Sequence, residues 1–398
     1  MKILVLGSRI PWPLRDGGAI ATYQLLQGLA EQGAEVVYFS FNTRKHFVTD
    51  DLIREHFSFC RVMGVPLDAN PTILGALKAL FRGENYNIAR FDNTAAKNKL
   101  KHLLSHEKFD LVQLEGLYAS PFLDVVMEKD IPVSLRQHNA EFQIWERLAV
   151  KNRNPIKRLY FGLLAAQLKR YEISILNKVD AIIPITAADW DLFAVLAPGK
   201  EMVLLPVGLN NLLHSKPDFQ SNTFFHLGSM EWIPNVDAVM WLIKEVWPQV
   251  KTEIPAAELH LAGKGLKADD PRFAGNGVVV HGEVENAQGF MQSHGVMLVP
   301  VFAAGGIRVK TLEAFNAGVP VISTATGIQG IEATHEKELL IANTPKEFGN
   351  AMIRMQNEPL LRETLVENAR ALIAKNYKTE QLISGLLRFY EDLVKKSD

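Results

Sequence analysis

The chain has 398 residues, of which 47 % are hydrophobic and 22 % charged, with a formal net charge of −1. This length predicts about two or three domains of common size, and the composition is that of an ordinary globular protein. The near-zero charge argues against a dedicated nucleic-acid binder, so we expect no nucleic-acid partner. Cys60 is the single cysteine, which excludes an internal disulfide and a site built on cysteine ligands.

The beginning of the chain predicts a buried strand rather than a targeting signal. Only about five apolar residues precede Gly7, too few for the core of a signal peptide. No apolar run in the sequence approaches the roughly 20 residues needed to span a bilayer. We therefore expect a cytoplasmic protein that can still bind peripherally to the inner face of a membrane.

Strand and helix patterns alternate along the first half. A helix predicted over 19–32 has an apolar stripe at near-helical spacing, and Gly33 is well placed to end it. Strands are predicted at 2–6, 35–41, 59–65, 111–114, 133–137, 181–185 and 202–205. Repeated βα units of this kind call for a mostly parallel sheet covered on both faces.

The pattern changes near Pro206 and then restarts. Residues 207–222 are rich in Gly, Asn and Pro, which is linker composition. Further strands are predicted at 224–227, 258–262, 278–280, 296–301 and 319–323, and helices at 235–250, 346–356, 359–375 and 379–395. We predict an α/β fold with two Rossmann-like αβα domains, whose ligands bind at the carboxyl ends of the strands, in the cleft between two facing sheets.

The stretch 305–318 combines a glycine turn with charged residues. Gly305 and Gly306 lead from a predicted strand into a short helix that carries Arg308, Lys310 and Glu313. Backbone N–H groups at a helix start, with two cations beside them, are suited to phosphate, and the carboxylate could take ribose hydroxyls. An ordinary βα turn with solvated charges explains the same pattern, because short glycine motifs often occur without binding a ligand.

Two further segments follow strands of the first half. Gly17 and Gly18 stand immediately before the first helix, where small residues let a phosphate or a sugar approach the backbone. His138, beside Asn139 and Glu141, lies just beyond the strand 133–137, and could hydrogen-bond a sugar hydroxyl or move a proton. Glu115 has a similar position after the strand 111–114. A flexible loop and a structural histidine are the alternatives.

The sequence shows no metal motif. The eleven histidines are scattered, and neither H-E-x-x-H nor a D-x-D strand end is present. We therefore expect no metal site and no cofactor. Phosphate would be held by backbone amides, Arg308 and Lys310.

Residues 147–170 form a basic stretch that contains no acidic residue. Apolar side chains, including Leu159 and Phe161, interleave with cations such as Lys157 and Arg158. A basic amphipathic helix can lie on anionic lipid, so an anionic membrane surface is one expected partner. A solvated helix whose apolar residues face the core is the alternative.

Taken together, the motifs resemble those of the retaining glycosyltransferases of family 4, which have the GT-B fold. The Gly17-Gly18 loop, the RQHNAE and PVGLNN segments, FHLGSMEWIPNVDAVMWL, LHLAGKG, VVVHGEV and the stretch from Gly305 through STATGIQG follow the family's order over essentially the whole chain. The resemblance implies an acceptor-binding domain at 1–206, a nucleotide-sugar-binding domain at 207–377, and a C-terminal helix at 378–398 that crosses back onto the first domain.

The resemblance also implies roles for individual residues. Glu313 is similar to the second glutamate of the family's Glu-x7-Glu motif, which binds ribose. Arg308 and Lys310 would neutralise the leaving diphosphate, Gly17 and Gly18 would line its side of the cleft, and His138 would face the donor sugar. Thr326, Gly327 and Ile328 would pack beside the ribose or phosphates, and Glu115, Asn139 and Glu141 would lie on the acceptor or sugar side.

Two positions depart from the family pattern. Gly305 stands where the first glutamate of the motif belongs, so that sugar contact is missing. The family's Arg and Lys after the first strand of the second domain are also absent, because Ser229-Met230 stands near the arginine position and 232–237 has no lysine. We infer that Arg308 and Lys310 supply the positive charge instead.

The implied function is metal-independent transfer of a sugar, with retention, from a nucleotide-sugar donor to a sugar or lipid-linked acceptor in cell-surface polysaccharide or glycolipid biosynthesis. Two alternatives remain open. One is a GT-B-fold sugar-nucleotide epimerase. The other is a non-catalytic nucleotide-sugar-binding partner of a polysaccharide assembly complex.

Overall fold

The computed structural model describes residues 1–14, 16–70, 72, 74–75, 78–79, 82–152, 154–213, 219–303 and 306–397. The chain divides into two compact units. The first consists of Met1–Gly208 together with Thr379–Asp398, and the second of Leu209–Lys378.

The first unit is built on a seven-stranded parallel sheet in the order β3-β2-β1-β4-β5-β6-β7. Its strands are β1 Lys2–Gly7, β2 Glu35–Thr43, β3 Arg61–Leu67, β4 Leu111–Glu115, β5 Val133–Gln137, β6 Ala181–Pro184 and β7 Glu201–Met202. The central strands are buried throughout, as expected for a parallel sheet covered on both faces.

The helices of the first unit connect these strands. They are α1 Gly17–Glu31, α2 Asp50–His56, α3 Tyr86–Ala89, α4 Thr94–His106, α5 Leu123–Val126, α6 Glu141–Lys151, α7 Pro155–Lys178 and α8 Ala187–Leu196, with 3₁₀ turns at Arg44–His46 and Leu117–Phe122. Helix α1 begins where the Asp16 carboxylate accepts a hydrogen bond from the Ala19 amide at 3.0 Å. It is followed by Gly33, whose φ of 87° favours glycine.

The second unit has a six-stranded parallel sheet in the order β10-β9-β8-β11-β12-β13. Its strands are β8 Thr223–Leu227, β9 Glu258–Ala262, β10 Val278–Gly282, β11 Val296–Val299, β12 Val321–Ser323 and β13 Leu340–Ile341. Its helices are α9 Ile233–Trp241, α10 Trp247–Glu253, α11 Ala287–Gln292, α12 Val309–Ala317, α13 Pro345–Asn357 and α14 Pro359–Asn376, with a 3₁₀ turn at Pro271–Phe273.

The single helix predicted over 235–250 is interrupted by a π-helical segment, Leu242–Val246, between α9 and α10. Pro248 follows this segment. Because proline has no N–H and its ring clashes with the carbonyl four residues earlier, the regular i→i−4 ladder cannot continue through it. The wider π turn accommodates that break.

Helix α15, Thr379–Ser397, belongs to the first unit. It packs against α1, where a Cβ added to Gly28 would lie 2.8 Å from Cγ1 of Ile383. Leu386 and Tyr390 are fully buried in the core formed by β1, β2 and α1. The apolar stripe of α15 therefore completes the first unit's core.

Candidate functional site

The stretch at 306–318 has the predicted order of strand, turn, helix and strand. It lies between β11 and β12 as a turn followed by α12. Gly306 has φ 70° and Gly318 has φ 75°, so both adopt the left-handed backbone that favours glycine. Gly305 lies outside the described residues, and its role in binding the donor remains a prediction.

Arg308 is the residue immediately before α12. Its backbone (φ −84°, ψ 87°) is not helical, and its Nη2 donates a hydrogen bond to the carbonyl of Gly306 at 2.6 Å. The guanidinium lies 5.3 Å from the centre of the Trp232 ring, within cation–π range. Burial lowers the pKa of Arg308 to about 10, so the side chain is still charged at neutral pH and is held in place.

Lys310 and Glu313 form an ion pair on the first turns of α12. Nζ of Lys310 lies 2.6 Å from Oε2 of Glu313, and the side chains are 39 % and 30 % exposed. Pairs of this exposure stabilise a protein by about 0–1 kcal/mol, so a ligand can replace either partner at little cost. Arg308 precedes the helix, so the rotation of about 100° per residue within an α-helix does not fix its direction relative to Lys310.

The loop after β12 is built on close backbone packing. A Cβ on Gly327 would lie 2.5 Å from the carbonyl oxygen of Val299 and 2.4 Å from Oγ of Ser323, so only glycine fits. The amide of Gly327 donates to Oγ1 of Thr324 at 3.0 Å. Ile328 is buried in the apolar core, so a ligand could meet only its backbone, whereas Thr326 is half-buried.

In the first unit, Glu115 is the centre of a buried hydrogen-bond network. Its Oε1 accepts from Nη1 of Arg136 at 2.8 Å, from Nε2 of His138 at 2.7 Å and from Oγ1 of Thr22 at 3.1 Å. Its Oε2 accepts from Nε2 of Gln113 at 2.6 Å. The carboxylate and the guanidinium are each 2 % exposed. Glu115 is thus surrounded by donors.

The electrostatics of this network keep Glu115 ionised. Burial alone would raise its pKa, but Arg136 and His138 outweigh burial and lower the pKa to about 2. An ionised carboxylate only accepts hydrogen bonds, so Nε2 of His138 is the protonated nitrogen. Nδ1 of His138 then points towards the start of α1, 3.8 Å from where a Cβ on Gly18 would stand.

The start of α1 already contains a charged pair. Arg9 donates to the Asp16 carboxylate, which caps the helix ahead of Gly17 and Gly18. Burial acts to raise the pKa of Asp16, but the Arg9 guanidinium lowers it overall. A phosphate that approached this helix start would meet Arg9 and Asp16 together, so a neutral sugar fits this place better than an anion does.

Glu141 and Asn139 lie beside the same network. Oε2 of Glu141 accepts from the hydroxyl of Tyr118 at 2.8 Å, and burial raises the pKa of Glu141. Glu172 of α7, fully buried, accepts from the amides of Glu141 and Phe142 at 3.2 and 3.1 Å. These bonds fix the start of α6. Asn139 is half-buried.

Several residues that contact the candidate site residues were not predicted from the sequence. The available signal for Arg136 was an opposite charge near the end of the strand that follows the one ending at Glu115, and the structure pairs the two residues across β4 and β5. Trp232, Glu172 and Arg9 come from distant or irregular segments and had no such signal.

The basic stretch 147–170 covers parts of α6 and α7. Its apolar side chains include Val150, Ile156 and Leu159, which are 75 %, 78 % and 68 % exposed. Lys157 and Arg158 are exposed beside them. Among the apolar residues that interleave with the cations, Leu159 is exposed but Leu164 is buried, so the expectation that they face the core holds only in part. None of the helices in the described ranges combines the length and the hydropathy of a membrane-spanning segment.

Comparison with known proteins gives this geometry a family context. Residues 221–358 match the model of the family described as Glycosyl transferases group 1. Sucrose-phosphate synthase from Thermosynechococcus elongatus is similar over 100 % of both chains, with a TM-score of 0.72 and 17 % identity. The fold is GT-B. HepE from Anabaena, in complex with UDP, shares this GT-B fold over 98 % of this chain and 100 % of its own, with a TM-score of 0.71 and 13 % identity.

A sequence relative covers nearly the whole chain. It is an uncharacterised 44.6 kDa protein in the cps region of Klebsiella pneumoniae, 21 % identical over 400 residues, which cover 97 % of this chain and 99 % of the relative. The predicted GT-B fold and the resemblance to GT-B glycosyltransferases are confirmed. The family match over 221–358 supports glycosyl transfer as the activity, and this segment contains Arg308, Lys310 and Glu313.

Proposed function

We propose that the chain is a retaining glycosyltransferase of the family 4 type, which moves a sugar from a nucleotide-sugar donor to an acceptor hydroxyl. The carrying observation is the family match of 221–358 to Glycosyl transferases group 1, a segment in which a half-buried cation, Arg308, lies at a glycine turn before α12. The relative in a cps region supports a role in cell-surface polysaccharide or glycolipid biosynthesis. The UDP complex of HepE supports a nucleotide donor.

The donor diphosphate is assigned to the start of α12. Arg308 is charged, half-buried and held by Gly306 and Trp232, so little reorganisation is needed when it meets a phosphate. Lys310 would exchange its carboxylate partner for the diphosphate. This exchange frees Glu313 to accept hydrogen bonds from the ribose hydroxyls. Amides of the loop at Thr326 and Gly327, at the carboxyl end of β12, would lie beside the nucleotide.

The reaction needs no group beyond these residues and the substrates. The bond between the anomeric carbon and the diphosphate oxygen breaks, and Arg308 and Lys310 stabilise the charge that develops on that oxygen. The acceptor hydroxyl attacks from the side on which the diphosphate leaves, and its proton passes to the departing phosphate. We therefore propose a metal-independent transfer with front-face attack.

His138 is proposed to hold the donor sugar. The Glu115 carboxylate fixes its ring through Nε2, so Nδ1 is presented at the start of α1. With the proton on Nε2, Nδ1 of His138 is the nitrogen that would contact a sugar hydroxyl. The absence of side chains at Gly17 and Gly18 leaves space for the sugar there.

The acceptor is proposed to be lipid-linked and reached at a membrane surface. The support is the exposed apolar group at Val150, Ile156 and Leu159 together with exposed Lys157 and Arg158. Anionic lipid fits both the charge and the apolar side chains of this surface.

A donor screen tests the proposal and separates its rivals. The purified chain is heated with each of a panel of UDP- and GDP-sugars, because a specific ligand raises the unfolding temperature by mass action. The stabilising donor is then incubated with and without lipid-linked sugar acceptors, and the products are identified by mass spectrometry. Transfer with retained configuration supports the proposal. An epimerised or hydrolysed donor without transfer indicates an epimerase, and stabilisation without turnover indicates a binding partner.

A further inference from the structure

Three of the eleven histidines are not scattered but lie together on one face of the second sheet. They are His260 in β9, His281 in β10 and His294 ahead of β11, and one ring nitrogen of each lies within 4.8 Å of the other two. We propose that these three imidazoles form a binding site for Zn²⁺.

A hydrogen bond of one ring and an ion-pair contact of another orient them as metal ligands. Nδ1 of His294 lies 2.7 Å from the carbonyl oxygen of Phe290, which only accepts, so Nδ1 holds the proton and the lone pair is on Nε2. Nε2 of His260 lies 3.2 Å from a carboxylate oxygen of Glu258, an ion-pair contact without hydrogen-bond geometry, while Nδ1 of His260 faces His281. Metal-ligating histidines characteristically donate their far N–H to a carbonyl or a carboxylate.

One pair of nitrogens is spaced close to the distance in a zinc site, and all three lie within 4.8 Å of one another. Nδ1 of His260 and Nε2 of His281 are 2.9 Å apart. In a tetrahedral site with Zn–N bonds of 2.0–2.1 Å, two ligand nitrogens are about 3.3–3.4 Å apart. An ion would replace the proton that now bridges the two rings, so the pair would need to open by only about 0.4 Å.

The surroundings give the site one dry side and one open side. The Phe290 ring lies 4.2 Å from that of His294 and 5.1 Å from that of His281, and Phe225 lies 5.7 Å from His294. His281 is exposed. The aromatic rings thus form an apolar wall, while the exposed edge provides an entry path and a fourth position for water.

The place of this site in the fold indicates a structural role. β10 is an edge strand, and its register shifts between Val280 and Gly282, at His281. An ion held by the three histidines would join this edge strand to β9 and to the segment before β11. The loops assigned to the donor follow the carboxyl ends of β11 and β12, so the metal site is separate from them.

Zinc titration of the untagged full chain tests the inference. By isothermal calorimetry we expect one equivalent of Zn²⁺ bound at micromolar affinity or tighter, and a rise in unfolding temperature with Zn²⁺ but not with Mg²⁺, because imidazoles select borderline metals over hard ones. His281→Asn and His294→Asn should each weaken binding by more than roughly a hundredfold, and Glu258→Gln by about 10–100-fold.

A second histidine pair provides the matched control. His102 and His106 on α4 lie with ring centroids 4.1 Å apart, and the double variant H102N/H106N should leave the tight equivalent unchanged. Circular dichroism verifies that each variant is folded, and Co²⁺ absorption bands report on the ligand geometry in the wild type. Millimolar zinc binding, or equal affinity in wild type, H281N and H294N, would overturn the proposal.

Discussion

Oε1 of Glu115 and Nε2 of His138 are 2.7 Å apart and form a hydrogen bond. This bond connects a buried carboxylate to a half-buried ring whose Nδ1 faces the start of α1. The same oxygen accepts from Arg136. Because both partners of the Glu115–Arg136 pair are buried, the network cannot lose one charge without leaving the other uncompensated.

We predict that Glu115→Gln destabilises the protein by about 3–5 kcal/mol at neutral pH, the cost of breaking a buried pair. The folded-state pKa of Glu115, about 2, lies below its ordinary value of 4.5. Its contribution is therefore complete above about pH 5 and is lost as the pH falls towards 2. Urea unfolding at several pH values should show the gap between wild type and variant closing on acidification.

Glu146→Gln, at an exposed position on α6, is the control and should change the free energy of unfolding by less than about 0.5 kcal/mol at each pH. A gap between wild type and Glu115→Gln that stays constant down to pH 2 would show that folding does not lower the pKa of Glu115.

For the donor site, we predict that Arg308→Ala lowers kcat by about 10²–10³-fold, because charge on the leaving phosphate loses a preorganised donor. Lys310→Ala should also lower kcat. Glu313→Gln should mainly raise the KM for the donor, because a contact to the ribose is equally strong in the ground state and in the transition state. Steady-state transfer kinetics check these values. Lys267→Ala, at an exposed position elsewhere in the second unit, is the control and should leave kcat and KM unchanged. Near-normal rates in both Arg308→Ala and Lys310→Ala would contradict the assignment of the diphosphate to this helix start.

Tyr390 of α15 offers a test of how this helix is held. Its hydroxyl donates to Oε1 of Gln113, whose amide in turn donates to Glu115. Tyr390→Phe should cost about 1–3 kcal/mol, because a buried acceptor is left without its donor. Chemical denaturation measures this cost. Tyr160→Phe, at a half-exposed site on α7, serves for comparison and should hardly change the free energy of unfolding. Equal effects of the two changes would show that the Tyr390–Gln113 hydrogen bond does not stabilise the protein.

The membrane surface leads to a fourth prediction. Replacing Lys157, Arg158, Lys169 and Arg170 by Gln should abolish sedimentation with vesicles that contain phosphatidylglycerol, because these exposed cations supply the attraction to anionic lipid. Neutral phosphatidylcholine vesicles should bind weakly in all cases. The control variant has Gln at four other exposed cations and therefore the same net charge as the first variant; these are Arg44, Arg54, Lys337 and Lys346. If both quadruple variants bind alike, the segment is not the membrane contact.

The sequence patterns predicted the regular parts of the fold because burial imposes a period on them. The run at 133–137 and the run at 258–262 coincide with β5 and β9 as observed. β13 was missed because its two residues, Leu340–Ile341, are too short to show any period. The π-helical segment was missed because hydrophobic spacing does not register a locally widened turn.

The sequence indicated which candidate residues lie near one another only where they follow strand ends. His138 and Glu115 were singled out in this way, and their contact follows from neighbouring strands β4 and β5, while their roles in binding remain predictions. The histidine cluster was not, since its members come from β9, β10 and a loop, and only the strand order makes them neighbours. Side-chain pairing across a sheet depends on register, which a single sequence does not specify.

The position of helix α15 in the chain determines the order in which the two units can finish folding during synthesis. The first unit consists of two chain segments separated by the whole second unit, and α15 supplies the fully buried Leu386 and Tyr390 to its core. During synthesis, Met1–Gly208 leaves the ribosome long before residues 379–397 do. Until then, the apolar surface that α15 will cover is exposed to water or to a chaperone. The first unit is therefore the first to be synthesised and the last to complete its core.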